Sequence, residues 1–165
     1  MARPERVPPG PGQESVWDYP RPPRIEPSRR PVRVAFAGET LAASDRALRV
    51  LETAGPPTYY VPLDDVTPDV LVPVEGHTTV CEWKGVARYF DVVAGGRRAR
   101  LAAWSYPSPS PGYEGLAGYV SFYPRRVECF LGDERVRPQP GGYYGGWITS
   151  EIVGPFKGEA GTEGW

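Results

Sequence analysis

The chain has 165 residues, which is enough for one domain and too few for two of ordinary size. Glycine (20 residues) and proline (21 residues) make up about a quarter of it, a content that excludes a helical bundle and favours short strands, turns and irregular arms. A net charge of −1 excludes a basic footprint for nucleic acid over the whole protein.

The first 31 residues form a proline-rich arm. Its nine prolines exclude a helix or a central strand. We expect about residues 1–13 to be disordered, because they hold few side chains that a core could bury. The segment from Trp17 to Ile25 carries large apolar side chains and is predicted to lie extended against the domain.

Residues 32–137 carry the periodic patterns of a single β domain. Residues 32–36 alternate between apolar and polar side chains, and a turn at residues 37–40 predicts a hairpin. One short amphipathic helix is predicted over residues 44–55, with Ser44 as its N-cap and Gly55 at its end. The further predicted strands are residues 58–61, 82–93, 98–104, 118–123, 127–131 and 135–137.

Two glycine-containing turns connect neighbouring predicted strands, Gly95-Gly96 and Gly132-Asp133, and both are typical of hairpins. The fold class is therefore predicted to be mainly β, a small antiparallel domain with one short α-helix. Residues 138–165 are rich in glycine and aromatic side chains. We expect them to form a C-terminal segment that wraps over the sheet.

Five phrases in the middle of the chain resemble, in order, the bacterial family called domain of unknown function 427. They are Ala43–Thr53, Pro56–Pro62, Thr78–Gly85, Ala103–Pro107 and Gly118–Pro124, and the resemblance covers about residues 32–128. It implies a β-tent fold similar to that of Mss4-like and methionine-sulfoxide-reductase-B-like domains. Those relatives often carry zinc on paired C-x-x-C motifs, which this sequence lacks, so their metal and redox chemistry are not implied.

The chain has only three cysteine and histidine residues, His77, Cys81 and Cys129. A structural zinc site needs four ligands, so we predict no metal and no cofactor. The first ten residues have no apolar run typical of a secretion signal, and no stretch approaches ~18 apolar residues. We therefore expect a cytoplasmic protein with reduced thiols and no membrane contact.

The densest group of reactive side chains lies between Glu75 and Gly85, which we interpret as a loop leading into a strand. Its candidate catalytic residues are Lys84, Cys81 and His77. Arginine outnumbers lysine 17 to 2, so a lysine here suggests a need for a compact charge or an amine of tunable pKa. The alternatives are a solvated lysine, a buried structural thiol and a loop histidine.

Tyrosine and tryptophan side chains in the family-like phrases suit the walls of a small-molecule cleft. The predicted ligand-binding residues are Tyr59, Tyr60, Thr78, Thr79, Lys84, Trp104, Tyr106, Arg46 and Arg49. A straight strand would send Lys84 and Thr79 to opposite faces. They can converge only if the chain bends near Glu82-Trp83.

The sequence thus predicts a soluble β domain that binds an anionic or carbonyl-bearing small molecule, with an enzyme of unassigned reaction left open. The alternative is a non-catalytic interaction module, monomeric or homodimeric, that uses its two arms. Nucleotidyl transfer, a label sometimes given to the family, is less favoured. The adjacent Asp64 and Asp65 would point to opposite faces of an extended chain, and no phosphate-binding loop motif occurs.

Overall fold

The computed structural model describes residues 3–165. It contains fifteen strands and three single-turn 3₁₀ helices, at Val16–Asp18, Leu63–Asp65 and Glu114–Leu116. The strands are β1 (Glu14–Ser15), β2 (Arg24–Pro27), β3 (Val32–Phe36), β4 (Glu39–Ser44), β5 (Leu48–Leu51), β6 (Thr58–Pro62), β7 (Leu71–Cys81), β8 (Gly85–Ala94), β9 (Arg97–Ser105), β10 (Tyr119–Phe122), β11 (Glu128–Leu131), β12 (Glu134–Arg135), β13 (Arg137–Pro138), β14 (Trp147–Ile148) and β15 (Ile152–Val153). Among residues 3–165, no helix has the length and apolar character needed to cross a membrane.

Two antiparallel sheets dominate the fold. The larger sheet has seven strands in the order β2-β5-β6-β10-β9-β8-β7, and the smaller has four in the order β12-β11-β3-β4. Two short pairs complete the structure, β1 with β15 in parallel and β13 with β14. The prediction of a mainly β, antiparallel domain is confirmed.

Both faces of the central strands of the larger sheet are buried, and successive side chains of each strand point to opposite faces. Tyr59 on β6 and Phe122 on β10 belong to the main core between the sheets. Their neighbours along the chain, Tyr60 and Tyr123, belong to a second, aromatic cluster. The smaller sheet covers the first face, with side chains such as Val34 fully buried. The second face carries the aromatic cluster.

The predicted hairpins are present. Strands β3 and β4 are joined by Ala37-Gly38, β8 and β9 by Gly95-Gly96, and β11 and β12 by Gly132-Asp133. Both residues of the first turn have positive φ, 52° and 79°, as the twist of a two-residue hairpin loop requires.

The predicted helix over residues 44–55 is wrong, because the segment forms the end of β4 and all of β5. Leu48–Leu51 pairs on one side with β2 and on the other with β6. The consecutive residues Val50 and Leu51 belong to different apolar clusters. Side chains that alternate between two faces in this way are typical of a strand. The Ser44 hydroxyl does accept the Arg46 amide at 3.0 Å, but this hydrogen bond lies in the connection between β4 and β5 and not at the start of a helix. Pairing on both edges of β5 outweighs the local preference for a helix.

The loop predicted between Glu75 and Gly85 is largely strand. Strand β7 runs to Cys81, and β8 begins at Gly85 instead of Glu82. Strand β7 lies at the edge of the sheet, and many of its side chains are polar and exposed, so it lacks the apolar alternation by which a strand is recognised. Its pairing with β8 shifts between Pro73 and Thr78.

Arg49 of β5 fastens the N-terminal arm to the sheet. It is 2% exposed, and its guanidinium donates to Glu14 at 2.6 Å and to Glu26 at 2.7 Å. Burial works against the charged guanidinium, but the hydrogen bonds to Glu14 and Glu26 outweigh it and raise the pKa of Arg49. Near the start of the chain, the Val7 amide donates to the Gly154 carbonyl at 2.9 Å. Residues 1 and 2 of the segment expected to be disordered lie outside the described residues.

The C-terminal segment inserts Trp147 into the main core. Its indole is 1% exposed, donates to the Phe122 carbonyl at 3.0 Å and has its ring centroid 5.0 Å from that of Tyr59. The segment therefore contributes a large side chain between the sheets, beyond what the periodic middle of the chain supplies.

Trp147→Ala should lower the free energy of unfolding by about 3–5 kcal/mol, the usual cost of emptying a site of this size in a packed core. Leu63→Ala is the control, because Leu63 is 42% exposed. Urea unfolding measures both. A loss below about 1 kcal/mol for Trp147→Ala would contradict the insertion.

Stability should fall with acid because of carboxylates such as Asp91, which accepts the Leu101 amide and the Arg98 guanidinium, both at 2.8 Å. Burial alone would raise the pKa of Asp91, but these donors outweigh it and the pKa lies below its ordinary 3.8. The pKa of Glu14 is likewise below 4.5: burial would raise it, and Arg49 outweighs burial. The unfolded chain therefore binds more protons than the folded one in this range, and protonation favours unfolding.

The free energy of unfolding should stay level between about pH 5 and pH 8 and decrease as the pH falls from about 5 through the folded-state pKa values. Asp91→Asn should be less stable at neutral pH and should lose less between about pH 5 and pH 3. Denaturant titrations across this range test both statements. If the free energy of unfolding of the variant fell as steeply with decreasing pH as that of the native protein, Asp91 would not contribute to the acid sensitivity.

Candidate functional site

A three-residue turn, Glu82-Trp83-Lys84, joins β7 to β8 and bends the chain at the place the site hypothesis required. Cys81 pairs with Gly85 across the turn, and the Cys81 thiol accepts the Lys84 amide at 3.5 Å. The Lys84 carbonyl accepts the Ser110 amide at 2.9 Å. These contacts fix the backbone on both sides of the Lys84 side chain.

The turn borders a cavity of about 280 Å³ on the second face of the larger sheet. The sheet contributes a wall of aromatic side chains, Tyr60, Tyr89, Trp104, Tyr106 and Tyr123. The C-terminal segment contributes another wall, formed by Gln139, Tyr143, Tyr144, Gly145 and Lys157. Strand β5 and the loop after it contribute Val50, Glu52 and Thr53.

Five of the predicted ligand-binding residues line this cavity: Tyr60, Thr79, Lys84, Trp104 and Tyr106. Cys81, a candidate catalytic residue, lines it as well. Thr79 and Lys84 thus reach one cavity although they are an odd number of residues apart. The Thr79 hydroxyl lies 2.8 Å from the Tyr89 hydroxyl, which ties the edge strand to the aromatic wall.

Three other predicted residues lie outside the cavity lining. Tyr59 faces the main core. Burial raises the pKa of Tyr59 to about 12, although the nearby Arg49 opposes the increase. Thr78 is exposed opposite Arg88. His77 is exposed and packs edge-on against the Tyr89 ring, with centroids 4.8 Å apart.

Arg46 and Arg49 are also placed away from the cavity, since the helix that was to present them does not exist. Arg46 donates to Asp65 at 2.7 Å, and Arg49 is engaged by Glu14 and Glu26. Both guanidinium groups therefore already have carboxylate partners.

Two buried donors at the cavity have no hydrogen-bond partner among residues 3–165. They are the Tyr60 hydroxyl and the Trp83 indole nitrogen, and both residues line the cavity. Tyr60 is 1% exposed. A buried donor without a partner costs about 1–3 kcal/mol, so such groups are rare and point to an acceptor that binds there.

Lys84 adds a positive charge to these donors. Its ammonium lies 5.7 Å from the centre of the Tyr106 ring, and no carboxylate of residues 3–165 lies within ion-pair distance of it. Burial alone would lower the pKa of Lys84, but nearby Tyr60, Cys81 and Glu52 outweigh it and raise the pKa. The ammonium form of Lys84 is a hydrogen-bond donor that can bind an anionic oxygen.

Two tyrosines of the cavity, Tyr106 and Tyr123, remain protonated as well. Burial and the neighbouring Tyr60 raise the pKa of Tyr106 well above its ordinary value. Burial and Tyr89 have the same effect on Tyr123. The site therefore presents an ammonium, an indole N–H and phenol O–H groups, a set that can hold carboxylate, phosphate or carbonyl oxygens.

The residues considered for metal or nucleotide chemistry are not gathered in one place. Among residues 3–165, no three His, Cys, Asp or Glu side chains are close enough to hold a metal ion together. Asp65 is occupied by Arg46 and by the Ser44 hydroxyl. Cys129 is fully buried in the main core, where burial raises the pKa of its thiol.

The family model described as Domain of unknown function (DUF427) matches residues 24–133, two thirds of the chain. The chain belongs to this family. A search of curated proteins finds no match. The matched DUF427 region supplies the turn with Lys84 and the aromatic wall of the sheet, and the wall that contains Tyr143, Tyr144 and Lys157 lies outside it.

The cavity also contains residues that were not predicted for the site: Glu52, Trp83, Tyr89, Tyr123 and all its C-terminal residues. Lys157 could have been found by the argument applied to Lys84, since it is the other lysine of an arginine-rich chain. The C-terminal wall as a whole has no periodic pattern, and its position depends on close contacts between distant segments.

One such contact is made by Gly145. A Cβ atom on Gly145 would lie 2.3 Å from the Trp104 ring and 3.0 Å from the Tyr123 ring. Gly142 provides a matched control, because a Cβ there would meet no atom within 4 Å. Neither glycine has a positive φ, so the comparison isolates side-chain space from backbone strain.

Gly145→Ala should push the C-terminal segment away from Trp104. We expect it to lower the melting temperature and to change the tryptophan fluorescence, because the indole becomes more exposed to water. Gly142→Ala should do neither. Equal behaviour of the two variants in thermal unfolding would contradict the placement of this wall.

Proposed function

We propose that this DUF427 protein binds a small acidic or carbonyl-bearing molecule in the cavity beside Lys84. The observation that carries the proposal is a pair of buried donors, the Tyr60 hydroxyl and the Trp83 indole nitrogen, beside the Lys84 ammonium; within residues 3–165 none of the three has a hydrogen-bonding or ion-pair partner. A ligand with two or more acceptor oxygens would satisfy all three groups at once.

The size of the cavity supports a ligand of metabolite size. Its volume is about 280 Å³, and an apolar protein cavity of about 150 Å³ is large enough to take up benzene. An unsaturated ring or short chain that carries an acidic group therefore fits. The rings of Tyr60, Trp104 and Tyr106 offer apolar faces to such a body.

Lys84 would bind the charged end of the ligand. The ammonium sits on a turn whose backbone is held by Cys81 and Ser110, so little backbone freedom of the turn remains to be lost on binding. The same donors could stabilise negative charge that develops on a substrate oxygen. Any catalysis by this site would therefore depend on stabilising negative charge on a substrate oxygen.

An interaction module is the second candidate. It is favoured by exposed apolar side chains on the edge hairpin, where Val80 (72% exposed) pairs with Val86 (45% exposed). The pair is small compared with the apolar patches that mark protein interfaces. The cavity with its unpartnered donors is the stronger argument, and it supports ligand binding.

Lys84→Met should weaken the binding of benzoate by about tenfold or more, because a hydrogen bond to a charged group contributes about 1.5–3 kcal/mol. Titration calorimetry on the full chain measures the affinity. The melting temperature of the unliganded variant should change little, since no carboxylate partner of residues 3–165 is lost.

Arg88→Met is the matched control. Arg88 is exposed on β8, opposite Thr78. The substitution removes one positive charge, as Lys84→Met does, but at a position outside the cavity lining. It should leave benzoate affinity within about twofold. Binding of benzoate that Lys84→Met does not alter would contradict the proposed site, as would a native protein that binds neither benzoate nor an aromatic acid with a second negative charge. The interaction module would then lead.

A further inference from the structure

Both lysines of the chain line the same cavity, although arginine is the predominant basic residue, 17 to 2. Lys84 belongs to the matched DUF427 region, and Lys157 belongs to the C-terminal segment outside it. We propose that Lys157 binds a second negative charge of the ligand, so that the cavity takes a dianionic small molecule. This inference rests on the proposed function and narrows its ligand class.

The backbone of Lys157 is fixed at the cavity from two sides. Its amide donates to the Ala54 carbonyl at 2.9 Å, and its carbonyl accepts the Gln139 side-chain amide at 2.6 Å. The side chain is half-buried, with its ammonium 5.4 Å from the centre of the Tyr144 ring. Lys157 therefore differs from a surface lysine whose backbone and side chain are both free.

The charges around the cavity leave both ammonium groups without a partner. No carboxylate of residues 3–165 lies within ion-pair distance of Lys84 or Lys157. The cavity has two carboxylates, Glu52 and Glu82. Glu52 is paired with Arg21 at 3.4 Å, and Glu82 lies exposed on the turn. Two partly desolvated cations of this kind favour an anionic occupant with more than one charge.

The choice of lysine agrees with this chemistry. An ammonium is a compact point charge that serves carboxylate and phosphate oxygens alike, whereas the larger guanidinium binds them through a rigid planar fork of donors. The two lysines come from separate parts of the chain, and together they suit either two carboxylates or one phosphate monoester. These two sources of a double charge need separate probes.

Three probes with one aromatic ring distinguish the possibilities: benzoate with one charge, isophthalate with two carboxylates, and phenyl phosphate with a doubly charged phosphoryl group at pH 8. Titration calorimetry on the full chain should show one of the two dianions binding at least about tenfold tighter than benzoate. Preference for isophthalate assigns two carboxylates, and preference for phenyl phosphate assigns a phosphate monoester.

Lys157→Met should remove this preference and leave benzoate affinity within about twofold, whereas Lys84→Met should weaken all three probes. Lys157→Arg keeps the charge and should retain a preference for the dianion. Arg137→Met, which removes an exposed charge from the C-terminal half away from the cavity, is the control and should change none of the affinities.

The inference is overturned if the native protein binds benzoate as tightly as both dianions, or if Lys157→Met retains the preference for a dianion. In either case benzoate binding that depends on Lys84 would leave the proposed function standing. If none of the three acids binds to the native protein, or if Lys84→Met alters none of the affinities, the proposed function fails and this inference fails with it.

Discussion

The structure depends on a sheet that must be covered on both faces. In the seven-stranded sheet, Tyr59 and Tyr60 are neighbours in sequence and point to opposite sides, and both are nearly inaccessible to water. The four-stranded sheet covers one face with aliphatic side chains. The other face carries tyrosine and tryptophan, whose polar tips need partners, and it is covered by the C-terminal segment and the turn at Lys84. The cavity lies between these elements and the sheet.

The chemistry of the cavity follows from which polar groups find partners. Thr79 and Tyr89 satisfy each other, and the buried Arg49 is satisfied by two half-buried carboxylates of the N-terminal arm. The hydroxyl of Tyr60 and the indole nitrogen of Trp83 remain without partners among residues 3–165. The two buried groups left over can both donate, and the Lys84 ammonium beside them is a cation, so the proposed ligand is rich in acceptors.

Much of the sheet could be predicted from the sequence, because alternation and glycine turns are local signals; Gly95-Gly96 places β8 against β9 without reference to the rest of the chain. The helix over residues 44–55 was wrong because pairing on both edges of β5 decides its conformation, and Arg49 was consequently misplaced. The convergence of Thr79 and Lys84 was predicted through the bend between them. The sequence distinguishes Lys157 only as the second lysine of the chain. Its position at the cavity could not be predicted, because it depends on hydrogen bonds to Ala54 and Gln139, which are distant in sequence.

The most direct test of the central claim is the indole N–H resonance of Trp83 in a ¹⁵N–¹H spectrum, assigned by Trp83→Phe among the five tryptophans. The indole N–H groups of Trp17 and Trp147 already donate to backbone carbonyls and serve as internal references. On titration with isophthalate and phenyl phosphate, the account predicts that the Trp83 resonance moves downfield and saturates with the calorimetric affinity, while the two references stay in place. A Trp83 resonance that does not respond to an acid shown to bind would contradict the account.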